Sequence, residues 1–215
     1  LTDFHDAPGE TMPEDAALIA HAQGKLETLN ARYAHRPFYF LHRRRLWNSA
    51  QQVWMGWERK RGKLHELNRV LRGADDTSFA WIEGTRAELA AVRYVITLDA
   101  DTVLPRDGAA KLVGALAHPL NSARFSEATG RIAAGYTVLQ PRVEIKPTSA
   151  ERSLFTHVFA GDTGLDLYTL AVSDSYQDLF GAGIYIGKGI YDVDAFERSL
   201  DGRVTPNTLL SHDLF

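Results

Sequence analysis

Apolar residues recur along the chain with two different spacings, which predict alternating helices and strands. Apolar positions three or four residues apart predict helices over residues 14–33, 57–72, 107–117, 148–159 and 192–200. Short, mainly apolar runs predict strands at residues 38–41, 79–82, 94–98 and 136–140. Strands that alternate with helices are typical of an α/β domain with an open, mostly parallel sheet flanked by helices.

Local signals refine the ends and faces of these elements. Thr11 and Glu14 have the spacing of a capping box, and the helix that follows should bury a stripe that includes Leu18. Gly73 is expected to end the second helix. The basic stretch at residues 42–52 is expected at the surface.

Composition narrows the class of protein. The chain is 45% hydrophobic and 24% charged, as in ordinary globular domains. Its net charge of −3 does not indicate the basic surface that is typical of nucleic-acid-binding proteins. The absence of cysteine excludes disulfides and thiolate metal sites. No apolar run approaches the roughly 20 residues that span a bilayer.

The two ends of the sequence are abrupt. Leu1 is not an initiator methionine, and residues 1–4 resemble a strand already under way. We therefore expect residues 1–215 to form one domain that is a truncated segment of a longer protein.

Asp99 and Asp101 directly follow the apolar strand at residues 94–98. Ligands of open α/β sheets bind beyond the carboxyl ends of the strands. Two carboxylates with one residue between them suit Mg²⁺ or Mn²⁺, which prefer oxygen ligands and commonly also bind substrate phosphates. This pair predicts a metal and diphosphate site.

The same pair also fits the opening motif of haloacid-dehalogenase-type phosphatases. There the first aspartate is a nucleophile and the second a general acid. Asp162 and Asp166 could pass for the later metal motif of that class. Because the opening motif lies near the start of those enzymes and mid-chain here, the phosphatase is the second hypothesis.

Several longer motifs occur together in a fixed order. They read Trp-Met-Gly-Trp at residues 54–57, Lys-Leu-His-Glu-Leu-Asn at 63–68, Tyr-Val-Ile-Thr-Leu-Asp-Ala-Asp at 94–101, Leu-Gln-Pro-Arg-Val at 139–143, Tyr-Gln-Asp-Leu-Phe-Gly at 176–181, Gly-Lys-Gly-Ile-Tyr-Asp at 187–192 and Ser-His-Asp at 211–213. In this order they closely resemble the glycosyltransferase module of bacterial cyclic β-1,2-glucan synthases, of the family 84 type. The resemblance spans essentially the whole chain.

This resemblance implies a GT-A-like nucleotide-binding sheet and a metal-dependent, inverting glucosyltransferase. The implied donor is UDP-glucose and the implied acceptor a growing β-1,2-glucan. In that family the parent is a large protein at the cytoplasmic face of the bacterial inner membrane, with further membrane and phosphorylase-like modules. The third hypothesis is a nucleotide-binding fragment without synthesis activity, since the chain ends before any Gln-x-x-Arg-Trp-like element.

The resemblance also implies roles for individual residues. Asp213 takes the position of the catalytic base, although His212 stands before it where the related motif has glutamate, so the role of His212 stays open. Metal ligation falls to Asp101 first and to Asp99. The expected nucleotide-sugar contacts are Asp3, Lys63, Asn68, Asp99, Asp101 and Lys188. At least one of the basic residues at 59–61 is expected to be merely solvated.

Overall fold

The computed structural model describes residues 1–141, 153–159, 179, 185 and 187–203. The strands are β1 (Thr2–Asp3), β2 (Phe40–Arg43), β3 (Leu46–Asn48), β4 (Val53–Met55), β5 (Phe79–Glu83), β6 (Tyr94–Thr97), β7 (Arg124–Phe125), β8 (Ile132–Ala134), β9 (Val138–Leu139) and β10 (Gly189–Asp192). The helices are α1 (Asp15–Asn30), α2 (Arg59–Leu71), α3 (Arg86–Leu89), α4 (Gly108–Ala117), α5 (Leu154–Phe159) and α6 (Val193–Leu200). The fold is therefore mixed α/β, as predicted.

Two three-stranded sheets organise the described residues, in the orders β1-β2-β5 and β6-β10-β9. Strands β1 and β2 are parallel, but β2 runs antiparallel to β5, and β10 runs antiparallel to both β6 and β9. The prediction of a mostly parallel sheet is wrong for this part of the chain. Its error was to assume that successive strands pair through helical crossovers, whereas β10 returns from far along the chain to lie between β6 and β9.

Helix α2 carries the core that links the two sheets. Its buried apolar stripe, predicted from spacing, packs with residues of β2, β5, α3, β10 and α6. The members of this core are Leu64, Leu67, Val70, Leu71, Leu41, Phe79, Leu89, Tyr191 and Val193. Each large apolar side chain buried in this way stabilises the fold by about 1.5–3 kcal/mol. Gly73 ends the helix as predicted, with a φ of +87° that favours glycine.

Helix α1 begins differently from the prediction. Glu14 is its N-cap residue but makes no side-chain hydrogen bond to the helix. The carboxylate of Asp15 instead accepts from the N–H of Met12 at 2.8 Å. Leu18 is 55% exposed while Ile19 is buried. The predicted capping box is wrong, because Asp15 and not Glu14 makes the bond at the start of the helix. The predicted burial of Leu18 is also wrong, because Asp15 and Ile19, four residues apart, form the face that packs inward.

The basic stretch at residues 42–52 was predicted at the surface, and this is wrong for Arg43 and Arg45, whereas Arg44 is exposed as predicted. Arg43 is 0% exposed and Arg45 is 3% exposed. The guanidinium of Arg45 donates to both oxygens of Asp15, at 2.6 and 3.1 Å. Buried charges are tolerated when they are paired and hydrogen-bonded, and the partner of Arg45 lies 30 residues earlier in the chain.

Within the described ranges, no helix has the length and apolar character required to cross a bilayer.

Candidate functional site

The first turns of helix α2 face two carboxylates that lie far apart in the sequence. The ammonium of Lys63 lies 3.0 Å from Oδ2 of Asp3, the last residue of strand β1. One turn earlier, Lys60 donates to Oδ1 of Asp99, beyond the end of β6. The ammonium of Lys188, which precedes β10, lies 2.8 Å from Oδ2 of Asp99. These contacts bring four predicted site residues, Asp3, Lys63, Asp99 and Lys188, into one region.

Asp3 is held in place by the neighbouring strand. Arg43, its register partner on β2, donates through Nε to Oδ1 at 2.7 Å and through Nη2 to Oδ2 at 3.1 Å. Burial alone would raise the pKa of Asp3, but hydrogen bonds and charge from Arg43, and then from Lys63, outweigh it and lower the pKa. Asp3 is therefore ionised at neutral pH, and its Oδ1, which accepts one hydrogen bond, retains a lone pair for a further donor.

Arg43 is itself fixed by contacts on its far side. Its guanidinium donates to Oε2 of Glu66 at 3.0 Å and to the backbone oxygens of Trp57 and Arg59 at 2.9 and 2.8 Å. This one side chain therefore joins β1, β2 and the start of α2. Sequence reasoning missed it, because a basic residue after an apolar run reads as the beginning of a surface segment.

Asp99 lies between two ammonium groups. Burial would raise its pKa, but hydrogen bonds from Lys188 and Lys60 outweigh this effect and lower the pKa. Its side chain is 35% exposed, so solvent and ligands can reach it. Two residues before Asp99, the hydroxyl of Thr97 is hydrogen-bonded to the hydroxyl of the buried Tyr185.

Asp101 has a different environment. It is exposed, and no hydrogen bond or ion pair joins its side chain to another described residue. Among the described residues there is also no group of three or more side chains arranged to hold a metal ion. Asp101 fits the role of a single oxygen ligand to Mg²⁺ or Mn²⁺, which often bind one carboxylate plus substrate phosphates. Metal ligation by Asp99 stays a prediction; in this structure ammonium groups engage both of its oxygens.

Asn68 is buried on helix α2, and its side chain is hydrogen-bonded to none of the described charged residues around Asp3 and Asp99. It is 1% exposed; its amide donates to Oε1 of Glu197 at 2.7 Å, and its oxygen accepts from the hydroxyl of Tyr191 at 2.8 Å. These contacts connect α2 with β10 and α6. Contact with a nucleotide stays a prediction for Asn68, while its bonds support a role in positioning the helix that carries Lys60 and Lys63.

The remaining predictions fall outside the described residues. These are the base Asp213, its neighbour His212, and Asp162 and Asp166 of the phosphatase hypothesis.

Lys60 is a site residue that the prediction did not single out. It lay in the basic run at residues 59–61, of which at least one member was expected to be solvated. Arg59 is 54% exposed, but it also pairs with Asp6 at 2.9 Å. The signal that could have distinguished Lys60 is its spacing. Positions three apart on a helix share a face, so Lys60 and Lys63 had to project to the same side.

Comparison with known proteins gives the family. No protein-family profile matches the chain. The whole chain is 48% identical, over 218 aligned residues, to the cyclic beta-(1,2)-glucan synthase NdvB of Rhizobium meliloti (strain 1021). The match covers 8% of the length of that synthase. The chain therefore belongs to the cyclic β-(1,2)-glucan synthase family, as a counterpart of one segment of the synthase.

Proposed function

We propose that this chain is the donor-binding part of a glucosyltransferase that uses UDP-glucose to extend a β-1,2-glucan with inversion at the anomeric carbon. The observation that carries the proposal is the convergence of Asp3, Lys60, Lys63, Asp99 and Lys188 at the start of helix α2. Family membership supports glucan synthesis as the overall activity. In this proposal the fold is of the GT-A type.

The two ends of the site, at Asp99 and at Asp3, match different parts of a nucleotide sugar. Lys60 and Lys188 offer ammonium groups, which suit the negative charge of a diphosphate. Asp3 offers a fixed, ionised carboxylate, which suits the N–H donor of a uracil ring. A donor that carries both groups would lie along the first turns of α2, from Asp99 to Asp3.

A divalent ion is part of this proposal. Asp101 would hold Mg²⁺ or Mn²⁺ together with phosphate oxygens of the donor. When bound, the metal supplies positive charge that offsets the charge developing on the leaving diphosphate. While the donor is absent, Asp99 pairs with Lys60 and Lys188, since both of its oxygens face ammonium groups.

Inversion requires a base that removes the proton of the acceptor hydroxyl, and Asp213 is the proposed base. The phosphatase hypothesis is less well supported. It needs Asp99 as a nucleophile, whereas the relative that is 48% identical over the whole chain is a glucan synthase. The hypothesis of a fragment without synthesis activity concerns this segment alone and is compatible with donor binding.

The wider setting is proposed from the family. The full-length protein would act at the cytoplasmic face of the bacterial inner membrane, with membrane and phosphorylase-like modules as partners of this segment.

The test is transfer of radiolabelled glucose from UDP-glucose into β-1,2-linked glucan by the full-length protein with Mn²⁺ or Mg²⁺. Asp101→Asn and Asp213→Asn should each reduce incorporation by about 100-fold or more, the scale on which a lost catalytic charge or base acts. Asp75→Asn, a matched change at an exposed site beyond α2, should leave it unchanged. Full incorporation by either site variant would refute the role of that residue, and no incorporation by the unmodified protein would refute the function.

A further inference from the structure

The Asp99 carboxylate is an anion that lies between two cations. Lys60 comes from α2 and Lys188 from the segment before β10, yet both ammonium groups meet the same carboxylate, one at each oxygen. The side chains are partly exposed, at 18% for Lys60 and 23% for Lys188, so the pair borders solvent rather than the core. This arrangement fixes two positive charges on either side of one pair of oxygen atoms.

A phosphate group can replace a carboxylate in this position. Two non-bridging phosphate oxygens present acceptors comparable to those of a carboxylate, and a diphosphate carries more negative charge. Partly exposed ion pairs contribute little net stability, so the bonds of Asp99 to Lys60 and Lys188 are readily exchanged. Charge-assisted hydrogen bonds from ammonium groups to phosphate are among the stronger ones available to a protein.

We propose that Lys60 and Lys188 form the diphosphate-binding pair of this site, and that Asp99 is the counter-ion displaced when the diphosphate binds. The inference rests on the proposed nucleotide-sugar function and gives it two specific residues. It assigns Asp99 to the lysines rather than to a metal, and it gives Lys60 a role beyond that of a solvated basic residue.

Asp99 and the diphosphate then compete for the same two ammonium groups. Removal of the carboxylate charge in Asp99→Asn should therefore tighten metal-free binding of inorganic pyrophosphate several-fold. A metal-ligand role for Asp99 predicts the opposite sign in the presence of Mn²⁺, since one ligand of the ion would be lost. The direction of the change in affinity separates the two assignments.

The experiment is calorimetric titration of the full-length protein with pyrophosphate, UDP and uridine, each with and without Mn²⁺. Lys60→Met and Lys188→Met should each weaken pyrophosphate and UDP binding by about tenfold, which corresponds to about 1.4 kcal/mol, and change uridine binding little. Lys25→Met, which removes the same charge from an exposed position on α1, is the matched control and should change nothing.

The outcomes separate this inference from the proposed function. Unchanged UDP affinity in both lysine variants, in a protein that binds UDP-glucose, would refute the lysine pair and leave the donor site standing. Pyrophosphate binding that depends on both lysines, in a protein that does not bind UDP-glucose, would retain the anion site and refute the proposed donor. Weaker pyrophosphate binding by Asp99→Asn without metal would refute the counter-ion role.

Discussion

At the scale of single residues, His42 gives the fold a defined response to pH. It is buried among Phe4, Phe40 and Trp81, and its Nδ1 lies 2.7 Å from the hydroxyl of Thr2. Burial lowers the pKa of His42 to about 4, and Asp3 and Asp15 only partly oppose this effect. Since the pKa of an unfolded histidine is about 6.5, the unfolded state takes up the proton first as the pH falls.

The free energy of unfolding should therefore decrease as the pH falls from about 6.5 toward 4, by roughly 1–3 kcal/mol. Denaturant titrations of the full-length protein, monitored by tryptophan fluorescence, measure it at each pH. His42→Gln should lower stability at neutral pH but remove most of this slope, whereas His21→Gln, at an exposed position on α1, should retain it. Equal slopes in all three proteins would contradict the account.

Arg43 is the residue whose loss should cost most. Arg43→Met leaves the nearly buried carboxylate of Glu66 without its cation and leaves Asp3 with Lys63 as its remaining cation. Removing one partner of a buried ion pair typically destabilises a protein by about 3–5 kcal/mol.

The matched control is Arg36→Met, because Arg36 pairs with Glu27 at the surface. Exposed pairs contribute about 0–1 kcal/mol, so this variant should unfold almost like the unmodified protein. Thermal and denaturant unfolding of both variants measure the difference. A loss of similar size in the two proteins would show that Arg43 does not hold this region together.

At the scale of elements, alanine substitutions at two helical glycines should change the stability of the protein in opposite directions. A Cβ added at Gly62 in α2 would lie 2.0 Å from the backbone oxygen of Trp57, whereas one added at Gly24 in α1 meets nothing within 4 Å. Gly62→Ala should therefore destabilise the protein by about 1–3 kcal/mol through overpacking. Gly24→Ala should stabilise it by about 0.5–1 kcal/mol, because alanine favours helix.

The same pair of variants reports on the site. Gly62 lies between Lys60 and Lys63, so a displaced first turn of α2 should also weaken binding of UDP. Stability is measured by denaturant titration and affinity by calorimetry. A stabilised Gly62→Ala variant with unchanged affinity would show that α2 does not pack tightly against Trp57.

The elements also show how far local sequence determines structure. Helices α2, α4 and α6 begin and end within about two residues of their predicted bounds, since spacing and end signals are local. Strand direction was not predictable in this way. The position of β10 between β6 and β9 depends on contacts nearly 100 residues apart in the chain, such as Tyr191 with Val95.

At the scale of the whole molecule, the site was partly predictable. Motif order identified Asp3, Lys63, Asp99 and Lys188, and the fold brings these residues together. Lys60 and Arg43 were missed, because charged residues in a basic stretch look alike until their distant acidic partners are known. Each of the two pairs with a carboxylate about 40 residues away, Asp99 for Lys60 and Asp3 for Arg43.

The central claim is that a nucleotide diphosphate binds along the first turns of α2. A structure of the full-length protein with UDP tests this most directly, by measuring distances from the phosphate oxygens to Nζ of Lys60 and Lys188. The account predicts both within about 3 Å, the range of a charge-assisted hydrogen bond, with the uracil ring near Asp3. UDP bound elsewhere, with Asp99 still between the two lysines, would contradict it.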